Sequence, residues 1–348
     1  MRRISKLTRV AVGVASLALA ATACGGTSSD NGDSGGKDDL GLAIAYDIGG
    51  KGDQSFNDAA FAGLTKAKEE FGFKTADVEP TEGETDADKE QRLASLARQG
   101  YNPVIGVGFA YGPAMEAVAA KYPDTTFGIV DSVVEGENVA SLVFAEEQAS
   151  YLAGVAAAKA TKSNTVGFVG GVDIPLIHKF QAGYEQGVKD TNAKVKVVAQ
   201  YLTQTAEEGG FSSPDKGKAA AEGQIEKGAD VIYQAAGLSG QGVIEAAATA
   251  KVWAIGVDSD QYNQEALAGY KDYILTSALK DVGGAVYTLT KSVQDGKPLT
   301  GTQVFDLKVN GVGLSDSNPK MAEIPGLKEA VDKAKTGITD GTIKVNTE

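Results

Sequence analysis

The sequence predicts an α/β chain of two Rossmann-like lobes, each a parallel sheet wound by helices, joined by a hinge. Three observations carry this. Short apolar runs alternate with amphipathic segments, the pattern of strands linked by crossover helices. The alternation begins afresh near residue 165, after a first series that ends near residue 160. The composition, 44 Gly in 348 residues with only 7% aromatics, suits many tight strand-to-helix turns. A chain of this length with 42% hydrophobic content can bury more than one core.

The elements follow in order. Residues 1–23 carry Arg2, Arg3, Lys6 and Arg9 and no acid, then an apolar run and small residues before Cys24. This reads as an export signal, too short to span a bilayer; the Arg2-Arg3 pair leaves both the general and the twin-arginine export routes open. Residues 25–39 are Gly, Ser, Asp and Asn with one Thr and one Lys and no apolar residue. Such a segment cannot offset its ordering entropy and is expected to be a tether of roughly 20 Å reach.

The folded body is expected to open with LAIAYDIGGKGDQSFNDAAFAGL, residues 42–64: an apolar strand, a loop with Gly49, Gly50 and Gly52, and a helix with apolar Phe56, Ala60, Leu64 and Ala67. Ser55 and Asp58 have the spacing of a capping box. Helices are expected over 85–100, 112–122 and 148–160, alternating with strands over 103–109, 126–131 and 139–144. The second series places strands over 165–169, 195–201, 229–235 and 252–257 and helices over 176–189, 214–227 and 241–250. Residues 274–278 and 282–293 are expected to return to the first lobe. Residues 304–307 and the helix over 327–335 are expected to finish the chain. Lobe 1 is thus expected over 40–145 and 258–300, and lobe 2 over 146–257 and 301–348. Two lobes joined by several crossings form a clamshell of the type I periplasmic-binding-protein kind.

Three apolar runs end in carboxylates: Ala-Tyr-Asp47, Ile-Val-Asp131 and Gly-Val-Asp258. In open α/β sheets ligands bind beyond the carboxyl ends of the strands, so all three can face one cleft and accept hydrogen bonds from hydroxyl or amino groups. A single such Asp could merely cap the next helix; three in series favour the cleft. Phe56 and Phe211 are candidate aromatic platforms, although Phe211, on a Gly-Gly-Phe-Ser-Ser-Pro loop, could equally staple onto the helix that follows. Asn57 lies in the first turn of the opening helix. Lys280 could pair with Asp258 or sit on the surface. Gly237 allows a close backbone approach or makes a simple turn.

The same residues exclude other chemistries. Without the leader, 29 Lys and Arg stand against 46 Asp and Glu, a charge that repels nucleic acid. His178 is the only histidine and Cys24 the only cysteine, so neither a Ser-His or Cys-His nucleophile nor a zinc cluster is indicated. GGKG at 49–52 is not a phosphate-binding GxxxxGK[ST] loop. No cofactor and no metal are expected.

The run from Asp47 to Asp58, DIGGKGDQSFND, resembles the opening signature of the basic membrane protein family of purine-nucleoside receptor lipoproteins. The likeness continues through IGVGF at 105–109, FGIVD at 127–131, FAEEQASYLAG at 144–154, GFVGG at 167–171 with Ile174-Pro-Leu-Ile, GADVI at 228–232 and IGVDSDQ at 255–261. Ala21-Thr-Ala-Cys24 resembles a lipobox, with Ala at position 21 where Leu is usual. The resemblance implies a non-catalytic receptor, lipid-anchored through Cys24 on the extracytoplasmic face of the cell membrane. It would act as a monomer that hands a nucleoside to an ABC permease. It further implies a base sandwiched by Phe56 and Phe211, base edges read by Asn57 and Asp131 with Asp47 nearby, and a ribose held by Asp258, Lys280 and the backbone at Gly237. Outside that resemblance, the alternatives are a receptor for a monosaccharide or other small polar solute, a surface-anchored hydrolase using Asp131 or Asp258, and a signalling or adhesion lipoprotein with no permease partner.

Overall fold

The computed structural model of the chain describes residues 41–81 and 83–348; the expected export signal, Cys24 and the tether lie outside them. The first sheet is built from β1 (Leu42–Ala45), β2 (Thr75–Val78), β3 (Val104–Gly106), β4 (Phe127–Val130) and β5 (Val139–Phe144). Between them run α1 (Phe56–Phe71), α2 (Asp86–Arg98) and α3 (Gly112–Ala119). The second sheet repeats the scheme with β6 (Thr165–Val172), β7 (Lys196–Thr203), β8 (Val231–Ala235), β9 (Trp253–Asp258) and β10 (Ile274–Lys280). Its helices are α4 (Glu146–Ala160), α5 (Pro175–Thr191), α6 (Pro214–Glu226) and α7 (Gly240–Ala250). The chain then supplies α8 (Val282–Gln294), β11 (Gly301–Phe305), β12 (Val312–Leu314) and α9 (Leu327–Thr339).

Both sheets have six strands, in the orders β11-β5-β4-β3-β1-β2 and β12-β10-β9-β8-β6-β7. The strands are parallel throughout, except that β12 runs antiparallel to β10. The lobes thus share one strand order, and in each the order reverses beside the first strand: between β1 and β3, and between β6 and β8. A crevice opens at such a reversal because the two flanking crossovers leave to opposite faces of the sheet. The parallel strands read as unbroken apolar runs because both faces are covered; β1, β4 and β8 have no exposed residue. No helix among the described residues is long and apolar enough to cross a membrane.

The expected lobe boundaries require correction. Strand β10 pairs with β9 and so belongs to the second lobe, not the first. Strand β11 pairs with β5 over 301–305 and belongs to the first lobe, not the second. Lobe 1 is therefore 41–145 with 281–306, and lobe 2 is 146–280 with 307–348. Helix α8 does return to lobe 1, where it packs on α1, while β12 and α9 lie in lobe 2. The chain crosses between lobes three times: after β5, after β10 and after β11. Apolar periodicity sets where an element lies along the chain, whereas its sheet is set by pairing with strands far away in sequence.

Helix α1 also starts differently from expectation. Ser55 occupies the N-cap position but makes no capping hydrogen bond. The Asp53 carboxylate does that work, accepting from the backbone N–H groups of Ser55, Asn57 and Asp58 at 2.9, 2.8 and 3.2 Å. A carboxylate outcompetes a hydroxyl at a helix N-terminus because it also meets the positive end of the helix dipole. Ser55 is thereby free to donate to Asp258 Oδ2 of the other lobe at 2.5 Å.

Candidate functional site

The two strand-order reversals face each other across one cavity lined by residues of both lobes. Asp47 follows β1 and Phe109 follows β3, flanking the crevice of lobe 1. Gly237 follows β8 of lobe 2. Phe56 and Asn57 enter from the first turn of α1, Asp131 from the end of β4, Asp258 from the end of β9 and Lys280 from the end of β10. With Phe211, every residue singled out from the sequence as a ligand contact lines this one cavity.

Two of the strand-end carboxylates, Asp131 and Asp258, have φ of 65° and 61°. Left-handed backbone at a non-Gly residue is uncommon, and two instances facing one cavity from opposite lobes mark a site where orientation outweighs local strain.

Phe211 does not staple onto α6. Its ring lies over the backbone of Gly171 at the end of β6, where a Cβ would come within 2.5 Å of the ring. Phe109 meets the same ring edge-on at a centroid distance of 6.4 Å. Phe56 stands in the other lobe, with the Lys280 ammonium 5.0 Å from its ring centroid. The cavity thus has aromatic surface on both sides.

The polar groups are arranged by acceptors that lack donors. Asn57 Nδ2 donates to Asp53 Oδ2 at 3.1 Å, which fixes the amide so that Oδ1 is left over. Asn57 Oδ1 and Asp131 Oδ1 are both buried without a hydrogen-bond partner. Buried orphan acceptors cost stability unless something satisfies them, and a ligand carrying N–H or O–H groups does so.

Lys280 departs from the expected pairing with Asp258. Its ammonium, 4% exposed, donates to Asp131 Oδ2 and lies 3.6 Å from Glu146 Oε1. The Asp131 contact bridges the lobes. Burial pulls the Lys280 ammonium downward, but the carboxylates of Asp131, Glu146 and Asp258 outweigh it and hold the group charged. Burial pushes Asp258 upward against the opposing pull of Lys280 and Ser55. Glu146, also raised by burial and countered by Lys280, was not singled out from the sequence. An acid in the first turn of a helix ordinarily reads as a dipole partner. Phe109 was missed because it closes an apolar run that reads as strand, while the strand itself stops at Gly106. Among the described residues no cluster of His, Cys, Asp and Glu could hold a metal ion.

Asp47 is buried, and Ile48 N–H donates to its Oδ1 at 2.8 Å. It lies against Gly108, whose φ is 115° and where a Cβ would fall 2.0 Å from Asp47 Oδ2, so only glycine fits there. Burial pushes the Asp47 carboxyl up to about 6, although the backbone N–H groups of Ile48 and Ala110 pull the other way. The folded chain therefore holds this proton more tightly than the unfolded chain, in which Asp titrates near 4. Below about pH 4 both states are protonated and the burial has no ionic cost. As pH rises through 6 the folded state must bury a charge that the unfolded state solvates, and stability falls. Unfolding by denaturant at several pH values should show Asp47→Asn gaining on the wild type between pH 4 and 7. Each tenfold difference in proton affinity corresponds to about 1.4 kcal/mol. A constant difference across that range would contradict the assignment.

The profile of the Bmp family, described as PnrA-like ABC transporter substrate-binding proteins, matches residues 43–347. The chain is 38% identical to the ABC transporter nucleoside-binding protein BmpA of Lactococcus lactis, over 97% of this chain and 98% of that one. It is 34% identical to an uncharacterized lipoprotein of Pyrococcus abyssi, over 84% of this chain and 72% of the other. Among solved structures, an ABC transporter system solute-binding protein from Aeropyrum pernix superposes with a TM-score of 0.77 at 30% identity. That match covers 89% of this chain and 94% of the other.

Proposed function

This chain belongs to the family of PnrA-like ABC transporter substrate-binding proteins, and we propose that its interlobe cavity captures a nucleoside, with a purine base preferred. It is a binding protein and not an enzyme, as its family and relatives are, which removes the hydrolase alternative. The relative named as nucleoside-binding, matched along nearly its whole length, supports the ligand class.

The observation that carries the proposal is the pairing of aromatic surface from both lobes with the unpartnered acceptors Asn57 Oδ1 and Asp131 Oδ1. A flat base with N–H groups at its edge supplies what these lack, and a ribose offers hydroxyl donors to Asp258. Stacking contributes about 1–3 kcal/mol per base, and a hydrogen bond to a charged group about 1.5–3 kcal/mol. The abundance of carboxylates disfavours a phosphate, so the nucleoside rather than the nucleotide fits. The relative named a lipoprotein supports an anchor at Cys24, which would hold the chain on the extracytoplasmic face of the cell membrane. From there a monomer would deliver its ligand to an ABC permease.

Thermal unfolding of the purified chain with a panel of ligands tests the ligand class. A compound that binds only the native state raises the midpoint. Adenosine, inosine or guanosine should raise it, and their 5′-monophosphates should not. A shift with ribose or another sugar alone would turn the reading to a monosaccharide receptor.

A further inference from the structure

Beside the cavity the loop before α1 offers three main-chain carbonyls to the opposite lobe. Gly52 O accepts from Gln241 Nε2 at 2.9 Å, Gln54 O from Gln261 Nε2 at 3.0 Å, and Ser55 O from Ser259 Oγ at 2.8 Å. All three donors belong to lobe 2, and none of them lines the cavity. From these contacts we propose that Gln241, Gln261 and Ser259 are positioning residues that hold the lobes shut over the bound ligand and so set how slowly it leaves. The inference rests on the nucleoside reading of the cavity and extends it to the control of release.

The loop is built to present these carbonyls. Gln54 adopts φ 57°, a left-handed conformation unusual for a residue other than Gly. That turn aims its carbonyl at Gln261, while its N–H donates to Asp58 Oδ2 at 2.9 Å. The loop is pinned to its own lobe by Lys51, whose ammonium binds Asp77 and whose N–H donates to Glu79 Oε2 at 3.1 Å. Asp58 Oδ1 accepts from Gly52 N–H at 2.8 Å. On the other side the Gln261 amide has no freedom to turn. Its Oε1 accepts from Gln234 Nε2 at 2.9 Å and Val257 N–H at 3.2 Å, so only Nε2 can face lobe 1. Gln234 lies on β8 and its own Oε1 accepts from Ala236 N–H at 3.0 Å, one residue before the cavity-lining Gly237. A rigid strap on one lobe thus meets oriented donors on the other. When the lobes part, all three bonds break together and water replaces them.

Because the donors engage only after closure, removing them should alter dissociation and leave encounter with the open form unchanged. Gln241 is half-buried at the rim, so Gln241→Ala leaves the core intact. The purified full chain is loaded with radiolabelled inosine, chased with excess unlabelled inosine, and the bound label is followed in time. Association is measured separately by rapid mixing, and the thermal midpoint is measured without ligand. For one hydrogen bond between neutral groups the release rate should rise about two- to tenfold. The double change Gln241→Ala with Ser259→Ala should raise it further. Association rate and ligand-free midpoint should stay at wild-type values. Release unchanged in the double variant would overturn the proposal, as would a fall in association matching the rise in release. A wild-type chain that retains no inosine would instead overturn the nucleoside reading, and the same chase with the ligand found by thermal shift would then test the strap.

Discussion

Lys280→Met is expected to abolish high-affinity binding and to lower the thermal midpoint by several degrees. The physical reason is the imbalance of charge around the ammonium. The side chains of Asp131 and Glu146 are 5% and 1% exposed and Asp258 is 8% exposed, and Lys280 is the buried cation between them, with the more exposed Lys179 a second partner of Glu146. Deleting one partner of a buried ion pair typically costs about 3–5 kcal/mol because the remaining charge is left without compensation. Here Asp131 comes from lobe 1 and Lys280 from lobe 2, so the loss weighs directly on the closed form. Affinity should fall at least about 100-fold, in line with the lower end of that range. Glu146→Gln added to Lys280→Met should recover part of the lost midpoint, since it removes a buried carboxylate left with only the partly exposed Lys179 at 3.6 Å as partner. Calorimetric unfolding and equilibrium titration of the single and double variants check both statements. A midpoint and affinity unchanged in Lys280→Met would mean that the carboxylates find other compensation and that the ammonium has no part in closure.

Phe56→Ala should weaken purine nucleoside binding by roughly five- to 150-fold, the equivalent of one stacked base face at about 1–3 kcal/mol. The loss should be specific to ligands with a flat aromatic part. Phe56→Tyr should retain most of the affinity because the ring face survives. Isothermal titration with adenosine and inosine against wild type and both variants makes the comparison. A uniform loss in Ala and Tyr variants alike would instead point to Phe56 as support for Lys280, whose ammonium lies over its ring.

Much of this was legible in the chain because it is written in local patterns. The strand over 139–144 was expected residue for residue, since both its ends coincide with changes of polarity. The carboxylates of Asp47, Asp131 and Asp258 were recognisable as one set because each closes an apolar run, and a parallel sheet directs all such ends to one edge. The left-handed backbone of Asp131 and Asp258 was not legible, since φ depends on what the turn must face. The lobe membership of β10 and β11 was misjudged for a related reason: a strand carries no local mark of its partner. The same holds for side chains that work across the gap. Ser55 looks like a helix cap until Asp53 takes that role and Ser55 turns to Asp258. Lys280 looks like a partner of the nearest strand-end acid until Asp131 arrives from the other lobe. Glu146 became visible only when its burial did, because the first turn of a helix is where an acid is unremarkable in sequence. The line between what could and could not be read is the line between contacts near in sequence and contacts made by closing the clamshell.

On the proposed function, a neutral, flat and hydroxylated guest sits between the lobes with its base between Phe56 and Phe211. A crystal structure of the chain grown with inosine tests it most directly. Electron density for the base is expected between these two rings, with its edge on Asn57 Oδ1 and Asp131 Oδ1 and the ribose toward Asp258 and Lys280. Density for the nucleoside elsewhere, or a closed cavity holding no base at saturating inosine, would contradict it.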